Sequence, residues 1–325
     1  MIMKTLTEKA HKLQEFLRKG IWQLRIEELS NAKARFVKFA KIALITTKTY
    51  ARQKIEPQAV SLSYFSVMAL VPLIALIFAI AGGIGLDHEI RTFLYENLGS
   101  ADNQRYLDTL LASAQNIIDT AKSGWIGMLS ALTYIWTIIR LMSGVENAFN
   151  NVWVVDQTRN VLKRSMYYFI ILLLSPFVIM VLFATSFMYL NLWEYIGFDV
   201  ASFTFIMKLI SWALFYVGAT FIFSAMYKFI PNHHVKYGMA FRAAIFAALV
   251  FTVVQFMYLE TQVFVTGLNK VYGTLAAIPL FMIWLNVSWK IILMGSELSY
   301  AFQHVDNYNL EDQHGKDFAI HTGRL

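Results

Sequence analysis

Arg140, Lys290 and Glu297 are ionisable side chains placed inside or at the edge of apolar stretches of this 325-residue chain. An Arg, Lys or Asp at the centre of a membrane helix costs at least ~2.5 kcal/mol, so such groups persist where they pair, line a polar path or hold something. Asn286 precedes Lys290 by four residues and shares its helix face. Immediately after Arg140 comes Gly144-Val-Glu-Asn-Ala-Phe-Asn-Asn-Val-Trp153, which adds Glu146, Asn147, Asn150 and Asn151 on neighbouring faces. Arg140, Glu146, Asn147, Asn286, Lys290 and Glu297 form the candidate substrate-binding set. Their chemistry suits an anionic headgroup, because guanidinium and ammonium groups can grip a phosphate and the amides can orient it. Arg140 with Glu297 is the expected ion pair, and a pair of that kind can equally be a registry device of the fold.

The elements that must position these groups are helices. Six runs carry no charged side chain: Pro57–Leu86, Ser123–Ile139, Ser165–Trp193, Leu209–Tyr227, Ala243–Leu259 and Val271–Trp289. A spanning helix needs roughly 20 apolar residues, and in lipid every backbone polar group must be satisfied within the segment. The expected fold is all-α, a polytopic membrane protein with six transmembrane helices plus amphipathic N-terminal and periplasmic-loop helices. Composition agrees, with 57% apolar and 15% charged residues. Pro72, Pro176 and Pro279 fall deep in these runs and are expected to kink their helices, as interrupted helices do around transport cavities.

Lys and Arg counts set the expected orientation. Residues 1–56 hold 13 of them and the loops 145–164 and 228–242 hold three each, against three in 85–122, none in 190–204 and one in 260–272. The positive-inside rule then places both termini in the cytoplasm, with the protein in a bacterial cytoplasmic (inner) membrane. The net charge of +7 is thereby a topology signal, and nucleic acid is not an expected partner. The chain divides into a cytoplasmic amphipathic segment (1–58), a transmembrane domain (59–303) with an outer helical loop (87–122), and a cytoplasmic tail (304–325). Within the first segment Lys38, Lys41, Lys48 and Arg52 oppose Phe36, Phe39, Ala43 and Tyr50, the pattern of an interfacial helix on anionic lipid. Residues 103–121 recur at helical spacing, with a shorter helix over 89–98 expected beside them.

Enzyme chemistry is not expected. The chain has no cysteine, which excludes thiol catalysis and thiolate metal sites. It has no P-loop, dinucleotide fingerprint, H-E-x-x-H or G-x-S-x-G. His233-His234 follows Pro231-Asn232 in a turn and points its rings to opposite sides; Asp87-His88-Glu89 lacks metal-ligand spacing. No metal and no cofactor are expected, and any transport is passive, ion-coupled or partner-driven.

Four stretches resemble the BrkB/YihY family of bacterial inner-membrane proteins over nearly all of residues 20–303. These are Ala59-Val-Ser-Leu-Ser-Tyr64 running into Ala69-Leu-Val-Pro-Leu73; Glu146 to Trp153; Ile230-Pro-Asn232; and Tyr272-Gly-Thr-Leu-Ala-Ala-Ile-Pro279 running through Trp284 to Gly295-Ser-Glu297. Ser296 stands where the family more often has Ala, and the N-terminus is longer than usual. The resemblance implies six spans, cytoplasmic termini and a role in the cell envelope, where members are associated with serum resistance and with export of lipids or lipopolysaccharide precursors. An old ribonuclease label also attaches to the family; no H-x-H-x-D-H metal site supports it here. The expected function is a transporter or flippase, not driven by ATP, of a lipid or other amphiphile, with anionic membrane lipids as partners. The alternative is an envelope scaffold whose outer loop docks a periplasmic protein.

Overall fold

The computed structural model describes residues 30–83, 88, 91–92, 94–95, 104–121, 124–155, 204–268 and 270–305. Among these, seven long helices form and no strand does: α1 (Asn31–Arg52), α2 (Ile55–Gly83), α3 (Gln104–Ala121), α4 (Gly124–Val152), α5 (Thr204–Phe229), α6 (Tyr237–Leu268) and α7 (Lys270–His304). Four contain stretches long and apolar enough to cross a bilayer: Ile55–Phe78, Trp212–Phe229, Tyr237–Thr261 and Pro279–His304. The second charge-free run lies in α4, which forms a continuous helix but is not one of the four. The third run, with Pro176, lies outside the described residues, as do residues 1–29 and the tail after 305. Helices α2 and α7 run unbroken through Pro72 and Pro279.

The order of packing explains where polar groups collect. Helix α6 packs along both α5 and α7; α7 reaches α2, α1 and α4; and α2 rests on α4 and α3. Lipid offers helices no hydrophobic gain on association, so small residues that let backbones approach closely carry the cohesion. Ala240, Ala243, Ala244, Ala247 and Ala248 of α6 are all buried, and Ala247 lies against Gly295 of α7. Tyr227 of α5 closes this seam. A Cβ added to Gly295 would stand 2.0 Å from its hydroxyl and 2.7 Å from the Ala247 Cβ.

Helix α1 joins the bundle through a small apolar face. Its packed face is Ile42 and Ile45, clustered with Ala301 and Val305 of α7, and Lys41 is buried beside them. Phe36 and Phe39 instead point outward. The amphipathic helix read over 103–121 is present as α3. Arg91 donates to the Gln115 side chain at 2.9 Å and the Tyr95 hydroxyl to Asp108 at 2.7 Å, so the short helical residues before α3 dock on it.

The seam makes two substitutions behave oppositely. Gly295→Ala has no room and should lower thermal stability by about 1–3 kcal/mol. Tyr227→Phe removes a buried hydroxyl that has no hydrogen-bond partner, so stability should hold or rise despite the lost oxygen. Thermal unfolding in detergent checks both; a Tyr227→Phe loss as large as that of Gly295→Ala would contradict the packing.

Candidate functional site

The end of α4 is where four elements are fastened. Trp153 is fully buried, donates its indole N–H to the Ser296 hydroxyl at 3.3 Å, and meets Tyr300 edge-on. Its other face stacks on His233, with ring centroids 5.4 Å apart. One turn earlier, the Asn150 side-chain oxygen accepts from the Asn232 backbone N–H at 2.7 Å, which fixes the α5–α6 turn. Lys228 donates to the Val235 carbonyl across the same turn. The helix stops because Val154 adopts a left-handed conformation (φ 53°), and Val155 N–H then reaches back to the Asn150 carbonyl at 2.9 Å. A β-branched residue is strained there, so tertiary contacts of Trp153 must impose it.

Beside this end lies an open cleft of about 480 Å³, lined by Arg52, Gln53, Lys54, Pro57, Gln58, Ser61 and Asn151. It is built on the tight turn from α1 into α2. Lys54 makes that turn with a left-handed φ of 50°. The Gln53 carbonyl, left over at the end of α1, accepts from Asn151 Nδ2 at 2.9 Å and from Gln58 Nε2 at 2.8 Å. Those two bonds tie α1, α2 and α4 together. The lining holds two cations and no acid, and the N-terminus of α2 adds its partial positive charge. From Pro57 an exposed track climbs α2 through Val60, Tyr64 and Met68, roughly 16 Å at 1.5 Å per residue. A cationic, amide-lined cleft joined to an apolar track matches the two ends of an anionic amphiphile.

The set expected from sequence divides differently. Lys290 pairs with Glu56 of α2 at 2.8 Å. Arg140 does not reach Glu297: it is exposed and lies over the Trp136 ring, 4.9 Å from its centroid. Glu297 is fully buried, and among the described residues neither carboxylate oxygen has a hydrogen-bond partner. The expected pair fails because Ile139 and Arg140 turn outward from the face on which Leu141 and Val145 are buried. Glu146 is buried, Asn147 exposed and Asn286 half-buried one turn before Lys290. Among the described residues no group of His, Cys, Asp or Glu could hold a metal.

A family model described as Virulence factor BrkB matches residues 46–319. The chain belongs to this family. Relatives of this BrkB chain are UPF0761 membrane proteins. One from Acinetobacter baylyi is 27% identical over 277 residues, covering 83% of this chain and 64% of the relative. One from Psychrobacter is 26% identical over 257 residues, covering 76% and 45%. A third, from Haemophilus influenzae, is 22% identical over 280 residues, covering 83% and 97%. The BrkB chain therefore spans about half to two thirds of the first two and nearly all of the third. No solved structure matches it. It is an integral membrane protein, and the matched region takes in the cleft, the end of α4 and Glu297.

His233 supplies a pH prediction for the BrkB chain. Burial first, and then the neighbouring His234, hold its ring below the ordinary histidine range. The folded state thus binds fewer protons than the unfolded chain as pH falls through about 6.5, so stability is present above that pH and declines below it. His233→Asn should flatten the acid side of a melting-temperature profile between pH 7.5 and 5. An unchanged acid slope in that variant would remove His233 as its source.

Proposed function

We propose that this protein is an envelope carrier that moves an anionic lipid or similar amphiphile between leaflets without ATP. One observation supports the reading above the rest: the cleft lined by Arg52, Lys54, Gln53, Gln58 and Asn151 opens onto the exposed track of Val60, Tyr64 and Met68. A headgroup phosphate can lie against the two cations and amides while its acyl chains follow α2 in the hydrocarbon. In this reading the cleft faces the cytoplasmic leaflet of the inner membrane with both termini on that side, an orientation that the basic segment preceding α2 supports. Lys290 and Glu56 neutralise each other, so that pair adds no net charge beside the cleft. Arg140, with its guanidinium over Trp136, belongs to a different face and is a secondary contact for lipid.

Lys54 separates function from stability. Lys54→Gly removes a cleft cation and also relieves a left-handed residue that costs roughly 1–2 kcal/mol, offset in part by the chain entropy of glycine. The variant should keep or gain thermal stability and yet move labelled phosphatidylglycerol several-fold more slowly in vesicles of phosphatidylcholine and phosphatidylglycerol. A scaffold predicts no movement by the wild-type chain at all. Wild-type rates in Lys54→Gly, with stability retained, would sink the cleft as the headgroup site.

A further inference from the structure

Glu297 does not meet the partner that sequence assigns to it, and among the described residues no other hydrogen-bonds to it. It lies on α7 between Lys290, seven residues before it and on the same face, and Ala301, four residues after. Lys290 is held by Glu56 of α2, and Ala301 packs with Ile42 and Ile45 of α1. The carboxyl therefore sits beneath the junction of α1 and α2 with α7. The described helices packed on α7 carry ionisable groups, among them Lys41 on α1, Glu56 on α2, Glu146 on α4, Tyr227 on α5 and Arg242 on α6. None hydrogen-bonds to it. Arg242 is exposed, and the Tyr227 hydroxyl lies against Gly295, roughly 200° around the helix from Glu297.

An ionised carboxylate here would give up its hydration without a counter-charge or a donor, at a cost of several kcal/mol. The neutral acid avoids that cost. We propose that Glu297 is a proton-binding site whose loading holds α1 closed over α7, and that the proton is the ion to which the cleft is coupled. The step moves one proton between water and the Glu297 carboxylate; no other bond forms or breaks. Loss of the proton puts a charge one turn from Ala301, where α7 meets Ile42 and Ile45 of α1, and water entering between α1 and α7 relieves it. That separation draws on the α1–α2 turn, which carries Arg52, Gln53 and Lys54 of the cleft. The coupling rests on the headgroup reading of the cleft; the proton site does not.

The cysteine-free chain allows a direct test in vesicles. Ile45→Cys, buried at the α1–α7 contact, should resist a water-soluble maleimide at neutral pH and react severalfold faster at alkaline pH. The same cysteine with Glu297→Gln should stay protected at both. Equal acceleration with and without Glu297, or none in either, overturns the proposal. So does restored protection at alkaline pH on adding sodium ions, which would assign the site to a metal cation. Infrared spectra of the wild-type chain carrying isotope-labelled glutamate give a reading that needs no variant: a protonated glutamate band at neutral pH is expected, and its absence overturns the site. In the lipid assay, an acid gradient should speed movement of labelled phosphatidylglycerol in wild type and not in Glu297→Gln. Gradient-independent movement removes the coupling and leaves the carrier; no movement in any variant removes the carrier, while labelling and infrared still decide the proton site.

Discussion

Trp153 holds together what the bilayer cannot. Within hydrocarbon, apolar burial barely distinguishes helix–helix from helix–lipid contact, so the arrangement of helices depends on shape and on hydrogen bonds between side chains. The indole at the end of α4 supplies both, with its N–H on Ser296 of α7 and its face on His233 of the α5–α6 turn. Asn150 adds a bond to the same turn and Asn151 a bond to the α1–α2 turn. Two amides and one indole within four positions thereby connect the end of α4 to α7, to the α5–α6 turn and to the α1–α2 turn. The left-handed Val154 that follows is intelligible on these terms, since the chain must leave the helix at the one angle that keeps Trp153 seated.

Much of the architecture was legible because it is periodic or charge-free. The amphipathic spacing of 103–121 became α3 within one residue, and four of the charge-free runs coincide with helices fit to cross a bilayer. What sequence could not supply was rotation about the helix axis. Counting residues puts Arg140 and Glu297 at comparable depth, yet depth does not say which way a side chain faces, and the two point into different surroundings. The true partner of Lys290 is Glu56, 234 positions away, and the Gln53 carbonyl is met by Asn151 from 98 positions away. The cleft was illegible for the same reason. Arg52 and Asn151 were each visible as polar residues at the inner surface, but the turn that joins them depends on Lys54 taking a conformation that lysine seldom adopts.

The three kinds of charge near this surface follow different rules. Lys290 and Glu56 form an ion pair that is partly exposed, with side chains 30% and 66% accessible, so its contribution is small and it serves mainly to cancel two charges. Arg140 needs no acid, because the Trp136 face and an open surface accept a guanidinium at little cost. Glu297 is fully buried with no hydrogen-bond partner among the described residues. Only the last of these arrangements is expensive for a charged group, and therefore only there does a change of protonation alter the free energy of the packed state appreciably.

That contrast bears on how a carrier without a nucleotide site could be driven. Moving a headgroup through the bilayer requires a polar path that exists in one arrangement of helices and closes in another, and two arrangements must differ in something a gradient can act upon. In this fold the cleft and the buried acid are attached to the same short connection. Arg52, Gln53 and Lys54 belong to the turn that ends α1, and Ile42 and Ile45 of α1 pack with Ala301, one turn after Glu297 on α7. A rigid helix of 22 residues transmits a displacement at its packed face to its end without needing a chain of intervening contacts. Helix α1 meets α7 through Ile42, Ile45, Ala301 and Val305, with Leu298 and Phe302 packed against them. The neighbouring seam of α5, α6 and α7, closed at Gly295 by Tyr227 and Ala247, is too tightly packed to yield in the same way. Motion should therefore concentrate where α1 meets the bundle, with the seam acting as the fixed frame against which it moves.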